Sequence, residues 1–226
     1  MKELIRRFLR DAVFGLQDGL VSTLGAITGI AAGVGDGSVV ALAGLVVVAV
    51  ESVSMAAGTY LSSKSQREYL ESLLEEEAGQ HASDPEGERR EIRRMYGERG
   101  YAPGEIALIE RRLMSDRRLL LEDMAHKELG IIPDRLERPS GNAASMGLAY
   151  ILGGGIPVAP YFLLPISDAR PLSLAITGAA LFALGAFKGR LVRKSWLRSG
   201  FEMLAVGAGA CALGYAVGRL AGRTIP

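Results

Sequence analysis

Three side chains able to hold a cation stand inside otherwise apolar stretches of this chain. Asp18 lies in the run from Ala12 to Val34, which is apolar apart from Gln17, Asp18 and small hydroxyl residues. Glu51 and Met55 lie in a second run, rich in Val, Leu and Ala, that starts at Ser38 and continues to Leu61. Their four-residue spacing puts a carboxylate and a thioether on one face of a helix. A carboxylate at the centre of a membrane helix costs ~2.5–3.5 kcal/mol on insertion scales, so such a residue marks a site by default. An oxygen and a sulfur donor together suit a soft-to-borderline cation. Proton exchange on Asp18 would couple that transit to a proton gradient. Met55 alone reads as packing, and Glu202, near the start of the last apolar run, reads as an interfacial acid.

A second set of donors lies between Lys64 and Arg138. Glu75, Glu76 and Glu77 close one helical stretch, Glu88 and Glu91 share a face three apart, and Glu122, Asp123 and Glu128 flank Met124 and His126. Carboxylates that converge repel unless a cation neutralises them. Oxygen-rich sites suit hard divalent ions and methionine sulfur suits softer ones, so a Glu-rich site with one Met is compatible with ferrous iron or manganese. Arg89, Arg90, Arg93 and Arg94 interleave with the second cluster. Composition alone therefore favours an ordinary solvated helical surface laced with Glu–Arg pairs.

The elements that position these residues follow from where the charge is. Net charge is +1 and mean hydropathy +0.21. Yet 32 of the 51 acidic and basic side chains fall between Lys64 and Arg138. Pro139 to Ser167 is uncharged, as are Pro171 to Phe187 and Met203 to Gly218. A bilayer core takes ~20 residues of helix. The pattern predicts an all-α protein with five transmembrane helices near 12–34, 38–62, 142–165, 171–190 and 199–221. A three-helix cytoplasmic domain is expected as an insert between the second and third. The domain reading is 1–63 for the first two spans, 64–138 for a cytoplasmic metal-binding helical domain and 139–226 for the last three spans. Five such runs cannot share one soluble core of this size.

Within the insert the first helix continues from the second span, from about Ser65 to Gln80. Asp84 reads as an N-cap with Pro85 at the first helical position. The second helix runs to Tyr96, and the third from after Pro103-Gly104 to Glu128. Lys2, Arg6, Arg7 and Arg10, and Lys188, Arg190, Arg193, Lys194 and Arg198, place the N-terminus, the insert and the loop between spans four and five in the cytoplasm. Glycines four apart (Gly15/Gly19, Gly25/Gly29/Gly33, Gly185/Gly189, Gly214/Gly218/Gly222) allow close helix approach. Spacing leaves open whether they pack within a subunit or between two. Gly153-Gly154-Gly155 with Pro157 and Pro160 suggests a kink or unwound stretch in span three. Cys211 is the single cysteine, which excludes an intramolecular disulfide.

Several of these segments match a family. Asp18-Gly19-Leu20-Val21-Ser22-Thr23, Ser54 through Gln66 (SMAAGTYLSSKSQ), and Met124 through Gly130 (MAHKELG) resemble the vacuolar iron transporter family, over essentially the whole chain. The resemblance implies a homodimeric, proton-coupled exporter of ferrous iron from the cytosol. It implies that Asp18 and Met55 line the pathway. It also implies that Glu77, Glu88, Glu91, Met124 and Glu128 bind metal in the cytoplasmic domain. This chain departs from the family pattern at Gln80 and His81, where a further Glu is usual, and at Val47, where the span-two Glu would stand; Glu51 comes one turn later. Ala125 replaces a second Met. Gln80 still offers a neutral oxygen.

The expected function is thus a non-enzymatic antiporter for Fe2+, with Mn2+ or another divalent metal as alternative cargo and no prosthetic group. The expected partners are divalent metal ions, protons, the lipid bilayer and a second copy, and not nucleic acid. A prokaryotic plasma membrane is expected, or a vacuolar or other organelle membrane in a eukaryote. Two other classes stay open on the residues: a membrane-anchored ferritin-like iron oxidase, whose nearest signature is Asp123-x-x-His126, and a metal-sensing receptor. There is no nucleotide-binding loop and no catalytic triad pattern.

Overall fold

The computed structural model describes residues 2–127 and 138–224, and the side chains of all of these except 2–8, 77–78, 80–83 and 224. The described residues form eight helices and no strand: α1 (Lys2–Val34), α2 (Gly37–Ser83), α3 (Pro85–Glu98), α4 (Pro103–Met114), α5 (Arg117–Lys127), α6 (Pro139–Leu163), α7 (Ile166–Leu191) and α8 (Trp196–Thr224). Five are long and apolar enough to cross a bilayer: Leu9–Val34, Gly37–Glu76, Pro139–Leu163, Ile166–Leu191 and Trp196–Arg223. The protein is a multi-pass membrane protein. The chain divides into two compact units, Met1–Leu61 with Pro139–Pro226, and Ser62–Arg138.

In the first unit, small residues set how closely the helices approach. Gly15 lies against Met146 and Ala149 of α6, and Gly19 against Tyr150 and Gly154, so α1 and α6 run parallel. Gly25, Gly29 and Gly33 meet Ala210, Gly214 and Gly218 in turn, so α8 also runs parallel to α1. Gly185 and Gly189 meet Ser199, and Gly207 meets Leu181, which makes α7 and α8 antiparallel. Val48 faces Gly154 while Ala56 faces Gly147, so α2 runs opposite to α6. All four glycine stripes therefore contact helices of the same chain. The alternating directions put the start of α1, the exit at Leu61, the return at Pro139 and the α7–α8 turn at one end of the bundle.

Two sequence expectations change. The stretch with Pro157 and Pro160 is not unwound: α6 is helical throughout. Proline leaves a carbonyl without its helical donor; nearby, Ser173 of α7 donates to the Pro157 carbonyl at 2.7 Å and ties the two helices together. In the charged segment, the expected single helix from Gly104 to Glu128 is two helices, α4 and α5, broken at Ser115-Asp116. Asp116 Oδ1 accepts from the Arg118 and Leu119 amides at 3.1 and 3.2 Å, which starts a new helix. The second unit is therefore the end of α2 plus three further helices. Asp84 caps α3 as expected, accepting from the Gly87 amide at 2.8 Å with Pro85 at the first turn. Gly100, with φ +85°, ends the α3 region in a conformation that glycine adopts without strain.

Candidate functional site

In the membrane unit, α1, α2 and α6 bring the expected ionisable groups together. Asp18 is half-buried and Glu51 is exposed on the open face of α2. Tyr150 is fully buried. Its hydroxyl lies 2.7 Å from Ser22 Oγ, and Ser22 Oγ lies 2.7 Å from the Asp18 carbonyl. Serine has one proton. Since Ser22 gives it to the Asp18 carbonyl, Tyr150 is the donor in the other bond. Met55 is half-buried one turn beyond Glu51, in a stretch of α2 whose Ser52 and Ala56 lie against Gly147. The tight seat of Gly19, where a Cβ would come within 2.5 Å of the Tyr150 carbonyl, holds Asp18 at this level. Tyr150 and Ser22 were not singled out by sequence reasoning, because a tyrosine in an apolar run carries no signal until its partner is known.

The charged unit is built on a small apolar cluster of Ile92, Met95, Tyr96, Leu113, Leu120 and Met124. Met124 has 0% exposure, so binding a cation through its sulfur would draw it out of this cluster. Glu88, 5% exposed, precedes Ile92 by one turn and so lies on the face of α3 that meets the cluster. Glu91 is half-buried and pairs with Arg94 at 3.0 Å. The side chains of Glu77 and Gln80, and all of Glu128, lie outside the described residues. Among the described residues no group of three or more His, Cys, Asp or Glu is arranged to hold a metal. Asp123 of the Asp-x-x-His pattern is committed elsewhere. Its carboxylate accepts from Lys127 at 2.6 Å and from the Tyr96 hydroxyl at 2.9 Å. Burial pushes the Asp123 carboxyl up and the Lys127 ammonium down.

A carboxylate not singled out in the sequence, Glu110, is the electrostatic centre of this unit. It is buried, receives two bonds from Arg93 at 2.7 and 3.0 Å, and a third from Arg89 at 3.0 Å. This is the Glu–Arg lacing that composition favoured. The Arg93 hydrogen bond, more than the opposing effect of burial, holds the Glu110 carboxyl below its ordinary value of 4.5. A carboxyl with a lowered folded-state pKa stabilises the fold above its unfolded value, and that contribution is lost as pH falls through the folded one. Glu110→Gln should therefore lower the stability of this unit by about 1 kcal/mol at pH 7, the low end for a charge-assisted bond because Arg93 is solvent-exposed. The difference from the unsubstituted protein should vanish at acid pH. Thermal melts of both proteins from pH 7 down to pH about 3 test this, and a difference that does not shrink on acidification would refute it.

Five apolar crossings, with Asp18 and Glu51 well inside the first two, define a multi-pass helical protein of the ion-handling kind, since intramembrane acids mark ion or proton paths. The VIT family profile matches residues 9–219. The chain is 32% identical over 213 residues to vacuolar iron transporter 1 of Arabidopsis thaliana, covering 94% of this chain and 85% of that protein. It is 31% identical over 212 residues to vacuolar iron transporter 2 of Oryza sativa subsp. japonica, at 93% and 86% coverage. To the vacuolar iron transporter of Acanthamoeba castellanii it is 31% identical over 221 residues, at 94% and 78%. The chain belongs to the VIT family, a family of transporters rather than enzymes.

Proposed function

We propose that this protein is a proton-coupled antiporter that exports ferrous iron from the cytosol, with Mn2+ or other divalent metals as further cargo. The observation that carries the reading is the half-buried Asp18 of α1, whose carbonyl is held by Ser22 beside the buried Tyr150 hydroxyl, inside a chain whose relatives are named as iron transporters. The cation passes Asp18, Glu51 and Met55. Capture precedes it, on a cytoplasmic unit of residues 64–138 through Glu77, Gln80, Glu88, Glu91, Met124 and Glu128. The N-terminus is cytoplasmic, in line with its basic residues.

The protein acts as a homodimer. Glu51 is exposed near the middle of the apolar part of α2, residues 38–61, where bare lipid is a poor environment for a carboxylate. An apolar groove of 810 Å³ between α1 and α8, floored by Gly25, Gly29, Gly214 and Gly218, opens beside Ser22. A second copy covering these faces would enclose the path.

Proteoliposomes holding the full chain, with an imposed pH gradient, test this reading. Uptake of Fe2+ should rise with the gradient and collapse when a protonophore dissipates it. Metal flux indifferent to the gradient would remove the antiport, and no flux of Fe2+, Mn2+ or Co2+ would remove the transport reading altogether.

A further inference from the structure

One buried acid has no part in the path described above. Asp11 lies on α1, 3% exposed. Its Oδ1 accepts from Arg10 Nε at 3.2 Å, and that arginine side chain is 69% exposed. Its Oδ2 is buried and has no hydrogen-bond partner among the described residues. A carboxylate oxygen taken out of water without a donor is costly and calls for a compensating group, such as a water or a cation.

Its position gives the ligand. Asp11 precedes Asp18 by seven residues, so the two lie on nearly the same face of α1, roughly 10 Å apart along the axis. That face packs on the parallel α6. Gly15, midway between the two acids, lies against Met146, whose sulfur would be 3.1 Å from a Cβ at Gly15. One turn before Met146 is Asn142, also buried. The α1–α6 seam thus carries, in order, the level of the Asp11 carboxylate and Asn142 amide, then the Met146 thioether, then Asp18. Oxygen donors with one sulfur suit a borderline divalent cation.

We propose that Asp11 is a second carboxylate station for the transported cation, two turns before Asp18 at the end of the bundle where the chain begins. It rests on the transport reading above. The cation, arriving at the open Oδ2, replaces the missing donor and is then passed along the seam.

The test uses the full-length protein in proteoliposomes, with initial rates of Co2+ uptake measured over a range of concentrations. Asp11→Asn keeps the shape and removes the charge. It should raise KM roughly tenfold, as loss of a metal-orienting group does, and leave Vmax within about twofold because Asp18 is intact. Asp11→Glu should recover most of the lost affinity. An unchanged KM in Asp11→Asn overturns the proposal. So does a fall in melting temperature that Asp11→Glu fails to reverse, since that marks a structural acid. Mn2+ titration of the detergent-solubilised full chain, followed by its EPR signal, gives a readout free of transport. Weaker binding in Asp11→Asn supports the station even if flux fails and the antiport reading with it, while superimposable titrations overturn the station.

Discussion

Asp18→Asn is expected to cut gradient-driven metal uptake by about 100-fold or more, the rate equivalent of losing ~3 kcal/mol of charge stabilisation in a water-poor site. Asp18 is half-buried and its carbonyl is held by Ser22. A carboxylate in a water-poor site is relieved by a bound cation or a proton, and exchange of one for the other is what antiport needs. Asparagine has the same shape, so the bundle is unaffected, but it can neither hold the cation by charge nor carry a proton. Melting temperature should stay near that of the unsubstituted protein while flux is lost. Uptake at the ordinary rate in Asp18→Asn would remove this residue from the path. Glu51→Gln should have a smaller effect, because Asp18, not Glu51, is the half-buried carboxylate whose carbonyl is fixed by Ser22.

The second large effect concerns folding. Gly218→Ala should destabilise the membrane unit by more than about 3 kcal/mol, beyond the ordinary range for an overpacked side chain. A Cβ on Gly218 would overlap the Gly29 carbonyl oxygen, which belongs to backbone and cannot swing aside. The reciprocal contact, Gly29 against Gly214, leaves only 2.6 Å to a carbonyl oxygen. α1 and α8 would have to part along their whole stripe, losing the packing that drives helix association in lipid. Gly209→Ala on the same helix is the control. Its Cβ would meet nothing within 4 Å, and alanine favours helix over glycine by about 1 kcal/mol, so stability should hold or rise. Thermal melts in detergent separate the two. Equal melting temperatures for Gly218→Ala and Gly209→Ala would show that the α1–α8 crossing is looser than described.

Much of the fold was legible because it depends on length and period. A run of ~20 apolar residues specifies a crossing whatever its neighbours, and all five were found, four of them within about five residues of their ends; the second continues to Glu76 because its helix runs on into the charged segment. The Asp84–Pro85 start of α3 was equally local. The break at Ser115-Asp116 carried the same kind of signal, a capping residue before a new turn, but the apolar spacing on either side concealed it. Of the kink or unwinding expected around Pro157, the unwinding does not occur, for a different reason. A proline's effect depends on what packs around the helix, and Ser173, which holds the Pro157 carbonyl, stands on another helix.

The candidate site divides the same way. Asp18, Glu51 and Met55 were conspicuous as polar donors in apolar runs. Tyr150, Ser22, Asp11 and Glu110 were not, because burial and partnership are properties of a neighbourhood. Glycines every fourth residue said that helices approach closely, but not which ones. The tertiary structure answered that: α1 is gripped by α6 near Asp18 and by α8 further along. By itself, the sequence determined that this chain crosses a membrane five times, carries acids within it, and interrupts the crossings with a charged helical segment, since the hydrophobic effect acts on each residue as it comes. Only the tertiary structure decided which acids meet, which are buried and which are already paired. Those depend on distances between residues far apart in the chain, and electrostatics in a low-dielectric medium changes steeply with each of them.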